Sequence, residues 1–107
     1  MRQHHFQLDK LSRLSTHLEE LCALLRNNGQ DEASPELTDE VAATAGEIML
    51  LLADHGQDEL VCGTLADARH LRDVARSQQQ QRNQIEAVSV ALMNDVARII
   101  HAEKRAA

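Results

Sequence analysis

The chain has 107 residues and a formal net charge of −6, with one Pro, four Gly, one Phe and neither Trp nor Tyr. Ala, Leu, Gln, Glu and Arg favour helix over sheet, and this length suits a single domain with a modest core. An acidic balance opposes phosphate-backbone binding, so nucleic acid is excluded as a partner, and the longest apolar run, Ile48 to Ala53, is far short of a membrane span.

The N-terminal MRQHHFQLDK has no apolar segment of leader length, which leads to the expectation of a soluble, cytoplasmic protein with no membrane partner. The first helix is predicted over about 6–27. Leu11, Leu14, Leu18, Leu21 and Leu25 recur three and four residues apart and form one stripe, widened by Leu8 and Cys22. Lys10, Arg13, Glu19, Glu20 and Arg26 lie opposite, with Asp9 and Arg13 spaced for an i,i+4 ion pair. Asn27, Asn28 and Gly29 tolerate the left-handed backbone that closes a helix.

DEASPELTDE, residues 31–40, is rich in carboxylates but lacks the ligand register, central Gly and closing Glu of a calcium loop. It reads instead as a helix start. Ser34 is placed as an N-cap before Pro35, Thr38 offers a second possible cap, and Glu36, Asp39 and Glu40 suit the positive end of the helix. The second helix is expected over about 35–55, with Leu37, Val41, Ala45, Ile48 and Leu52 on one stripe and Gly56 as its terminator. Met49, Leu50 and Leu51 point elsewhere, so this end of the helix is apolar nearly all round and calls for neighbours on more than one side.

Asp58 is a natural N-cap for a third helix striped by Val61, Leu65, Ala68, Leu71 and Ala75. Between Thr64 and the C-terminus there is no Gly or Pro, and the polar tract RSQQQQRNQ at 76–84 offers a turn only Asn83. Counting in sevens from Leu71 gives Gln78, Ile85, Leu92 and Ile99, so the apolar phase passes through the glutamines. These features predict one helix over 58–104, about 70 Å long at ~1.5 Å per residue. Ile85, Val88, Leu92, Val96 and Ile99 form one stripe near its end, and Val90, Met93, Ala97 and Ile100 a second. Two helices of some 30 Å cannot cover such a rod. A second copy would then be needed, giving an all-α homodimeric helical bundle made of a helical hairpin and a long C-terminal helix. The alternative is a monomeric up-down four-helix bundle with a turn near 77–84.

Cys22 and Cys62 stand in helical stretches with no CxxC or CxxH near them and are expected to be free thiols. Asp67 and His70 are one turn apart, and His17 and Glu20 repeat the pairing in reverse order, yet a di-iron bundle needs more convergent Glu than these helices carry. His4 and His5 read as a polar tail. His70 in ARHLRDVA has a cation at Arg72, as a phosphoaccepting histidine would want, but no Gly beside it, and Asp73 nearby is unfavourable. No hydrolase, zinc-protease, P-loop or dinucleotide motif is present, and Gly63 marks either a close helix contact or a weakened first turn.

The expected function is therefore non-enzymatic and without a cofactor: an adaptor, secretion-chaperone-like or regulatory helical dimer that binds a helical protein partner. The expected contact residues, for dimer or partner, are Met49, Leu50, Leu51, Leu71, Ile85, Val88, Leu92, Met93, Val96, Ile99 and Ile100. The competing reading is a four-helix bundle with a chemical histidine, used for phosphotransfer at His70 or for metal binding. Ala and Arg richness hints at a bacterial source.

Overall fold

The computed structural model describes residues 8–27, 35–55, 58–77 and 82–106, and every α-helix in it matches an apolar stripe of the sequence. Helix α1 runs Leu8–Asn27, α2 Pro35–Leu52, α3 Glu59–Arg76 and α4 Arg82–Ala106, with a 3-10 turn, Ala53–His55, closing α2. Leu11, Leu14, Leu18, Leu21 and Leu25 of α1 are buried together with Cys22, while Leu24 and the polar Lys10, Arg13, Glu19, Glu20 and Arg26 face outward. Arg13 Nε donates to the Asp9 main-chain carbonyl at 3.4 Å, and so uses the backbone of the residue expected to supply a carboxylate.

On α2, Val41, Ala45, Ile48 and Leu52 are buried, joined by Thr38, Ala42 and Thr44. The first and third helical turns of α2 and the second of α3 each hide a threonine. Thr38 Oγ1 donates to Pro35 O, Thr44 Oγ1 to Glu40 O and Thr64 Oγ1 to Leu60 O, all at 2.8–2.9 Å, so each buried hydroxyl is satisfied by its own helix. Thr38 thus works inside the helix and is not its cap. The expected cap Ser34 and the expected stops at Asn28, Gly29 and Gly56 lie outside the described residues. Asp58 does cap α3, its Oδ1 accepting from Leu60 N at 2.9 Å and Val61 N at 3.5 Å.

The single helix predicted over 58–104 is not formed. Helix α3 stops at Arg76, α4 begins at Arg82, and the two pack against each other. The longest dimension of the molecule is 49 Å, less than the rod would need. Ser77 explains the stop without any Gly. Its backbone is extended (φ −69°, ψ 158°), and both its N–H, at 3.2 Å, and its Oγ, at 2.9 Å, donate to Val74 O. Ser77 itself needs no positive φ, so α3 stops there without a Gly or Pro. The glutamines at 78–81 lie outside the described residues.

Helix α1 packs on α2 and α4, and α3 packs on the same two, while the diagonal pairs do not meet among the described residues. This is a square of four helices. The Arg26–Glu86 ion pair joins the end of α1 to the start of α4. Leu11, Leu18, Leu25, Ile48, Leu52, Leu71, Ile85, Leu92 and Ile99 fill the centre and are essentially inaccessible. The seven-residue phase carried across the glutamines thus records two helices that each face one shared core.

Candidate functional site

The folded chain divides the expected contact residues into three groups. Leu71, Ile85, Leu92, Val96 and Ile99 are enclosed by their own chain. Met49, Leu51, Val88, Met93 and Ile100 are half-buried and pack on that core. Leu50 alone stands clear, 78% exposed, the most open of the large hydrophobics. The C-terminal helix therefore needs no second chain to cover its main stripe.

Leu50 belongs to a groove of about 620 Å³ between α2 and α3. Ala42, Ala43, Gly46 and Ala53 keep its α2 wall low, with Met49 and Leu50 above them, and a Cβ built on Gly46 would meet nothing within 4 Å. The α3 wall is Leu65 followed by Arg69, Arg72 and Arg76. Spacings of three and four residues put those guanidinium groups on one line along α3. Arg72 is half-buried. Its Nε has no hydrogen-bond partner among the described residues, the nearest carboxylate being Asp73 Oδ1 at 3.7 Å. Glu47 also lines the groove, and among the described residues neither it nor Arg69 nor Arg76 is held in an ion pair. The sequence reading marked Met49 and Leu50 but missed the arginines. Their signal was the periodicity of Arg69, Arg72 and Arg76, which reads as ordinary solvated polarity until α2 is placed beside it.

The other seams are crossed by polar contacts. His17 Nε2 lies 3.2 Å from Glu40 Oε2, joining α1 to α2, and its Nδ1 lies 3.6 Å from Glu20 Oε1. Arg26 pairs with Glu86 across α1 and α4, and Arg82 donates to Arg26 O at 3.4 Å. Asp67, expected beside His70, is directed instead to Asp95 on α4. Burial, then the hydrogen bond and charge of Asp67, push the Asp95 carboxyl up to about 6, against the opposing pull of Arg98.

His70 is exposed near the middle of α3, and both cysteines are free thiols. Burial pushes the Cys22 thiol up, although contact with the Ser89 hydroxyl acts the other way. Among the described residues no group of three or more His, Cys, Asp or Glu is placed to hold a metal ion, and no helix is long and apolar enough to cross a membrane. Gly63, whose added Cβ would also meet nothing within 4 Å, marks no close helix contact.

No family model matches the chain, and neither the curated proteins nor the solved structures yield a match.

Proposed function

We propose that the protein is a non-enzymatic interaction module whose α2–α3 groove receives a helix from another polypeptide. The observation that carries this reading is an apolar trough with Leu50, the most exposed of the large hydrophobics, at its edge, on a bundle that buries most of its other large aliphatic side chains, Leu24 and Val90 apart. Small residues let an incoming backbone approach closely, Met49 adapts to irregular shapes, and an exposed leucine supplies the anchor. Three guanidinium groups along one wall favour a helix with carboxylates on its flank.

Leu50→Glu tests the reading because it places charge in the trough without touching the core. Proteins from a native lysate retained by the wild-type chain and lost with Leu50→Glu, at unchanged helical circular dichroism, support it. An identical retained set for the two chains overturns it.

A second reading has one observation behind it: His70 is solvent-exposed in mid-helix on a four-helix bundle, with Arg69 and Arg72 nearby in sequence. Incubation with a small phosphodonor would then yield acid-labile phosphate on the wild-type chain and none on His70→Ala.

A further inference from the structure

The α2–α3 face carries opposite charges on its two helices, with apolar surface between them. On α2, Asp39, Ala43, Gly46 and Leu50 follow spacings of four, three and four, which aligns them on one outward line, and Glu47 flanks that line. On α3 the corresponding outward residues include Arg69 and Arg76, while Asp73 sits near Arg72.

We infer that this face is a two-fold interface with a second copy of the chain, α2 of each copy lying on α3 of the other, an inference that rests on the groove being a docking surface. Charge decides between the two ways a helical pair can face its own image. A two-fold axis perpendicular to the helices sets α2 on α2 and brings Glu47 and Asp39 towards their own counterparts. An axis parallel to the helices sets α2 on α3 and brings acid to base.

Two packed helices joined by so short a link run antiparallel, which sets Ala42 to Ala53 on α2 against Arg76 to Leu65 on α3; Glu47 then falls about level with Arg69, and Asp39 near the level of Arg76. A parallel axis preserves height. Glu47 therefore meets Arg69 of the partner subunit, Asp39 meets Arg76 of the partner subunit, and each pair occurs twice. At the preserved height each Leu50 side chain enters the partner's groove between the levels of Gly46 and Ala53.

Size and net charge agree with this occupant. Two helices of 18 residues present a face of roughly 27 by 20 Å, which corresponds to about 1,100 Å² for the pair, near the lower limit of a specific interface. A formal charge of −6 per chain repels a second copy approaching at random, so association is confined to a face where the charges alternate.

Sedimentation equilibrium of the full chain tests the inference. The wild type is expected to dimerise at about 10 µM, and Leu50→Glu to sediment as a helical monomer. Glu47→Arg alone and Arg69→Glu alone each weaken dimerisation at least about tenfold, whereas their equimolar mixture regains it as a heterodimer, because both cross-pairs are then of opposite sign. A wild-type monomer at about 100 µM overturns the inference. If partner capture from lysate still depends on Leu50, the groove reading survives that result. A wild-type dimer indifferent to Leu50→Glu, or single variants that fail to rescue each other when mixed, also overturns it.

Discussion

The α1–α4 and α2–α3 seams are built from the same two ingredients, apolar stripes and charged edges, but combine them in opposite ways. Between α1 and α4 the charges cross the seam: Arg26 meets Glu86 and Arg82 reaches the Arg26 carbonyl, so the polar groups of one helix are spent on the other. Between α2 and α3 the charges stay on their own sides, and the gap holds Ala42, Ala43, Gly46 and Ala53. Long side chains that pair across a seam close it, whereas small side chains leave a trough that something else can fill. One seam is therefore finished within the chain and the other presents recognisable chemistry outward.

Leu52 and Leu50, two residues apart, give the largest contrast. Leu52 is fully buried and Leu50 is 78% exposed. Leu52→Ala should lower unfolding free energy by about 2–5 kcal/mol through lost burial and a residual cavity. Leu50→Ala should change it by less than about 0.5 kcal/mol in the monomer. Urea denaturation at a concentration where the chain is monomeric checks both, and equal losses would mean that the groove is part of the core.

The α3–α4 seam is intermediate, because its cross-helix contact is between two acids. Asp95 is raised in the folded chain to about 6 from an ordinary value near 4, so in that interval the folded state holds a proton that the unfolded state has released. Stability should therefore fall as pH rises from about 4 to about 6 and carry the full cost above that. Asp95→Asn removes the ionisation and leaves a donor for Asp67. It should raise stability at pH 8 by about 1–2 kcal/mol, with allowance for solvent screening, and have no effect at pH 3.5. Thermal melts at the two pH values distinguish this from a uniform packing effect, which would shift both melts alike.

Helix identity was legible wherever apolar periodicity is strong: Leu11, Leu14, Leu18, Leu21 and Leu25 of α1 and Val41, Ala45, Ile48 and Leu52 of α2 are buried as the spacing requires, with Leu37 half-buried, and Asp58 caps α3. The break at Ser77 was not legible, for a specific reason. A helix can stop on an extended residue whose hydroxyl and N–H both return to Val74 O, and serine does this without signalling a turn. Heptad phase could not reveal the break either, since Leu71 and Ile85 face the same core from two separate helices. The groove was half legible. Met49 and Leu50 stood out as surplus apolar residues, but the arginine wall acquires meaning only when α3 lies beside α2.

The two interior glycines give the smallest and most selective test of the contrast between an open seam and a closed surface. Apart from the glycine's own stretch of helix, nothing lies within 4 Å of the position an added Cβ would take at Gly46 or Gly63. Alanine at either site therefore gains helix propensity without a clash, and each change should raise monomer stability by about 0.5–1 kcal/mol. Their effects on association should differ. Gly46 lines the trough that receives Leu50 of the partner subunit, so Gly46→Ala narrows the trough and weakens the dimer. Gly63 does not line the trough, so Gly63→Ala leaves association unchanged. Paired melts and sedimentation of both variants resolve this, because two substitutions with one effect on folding can diverge in association only if the surface around Gly46 is covered in the dimer.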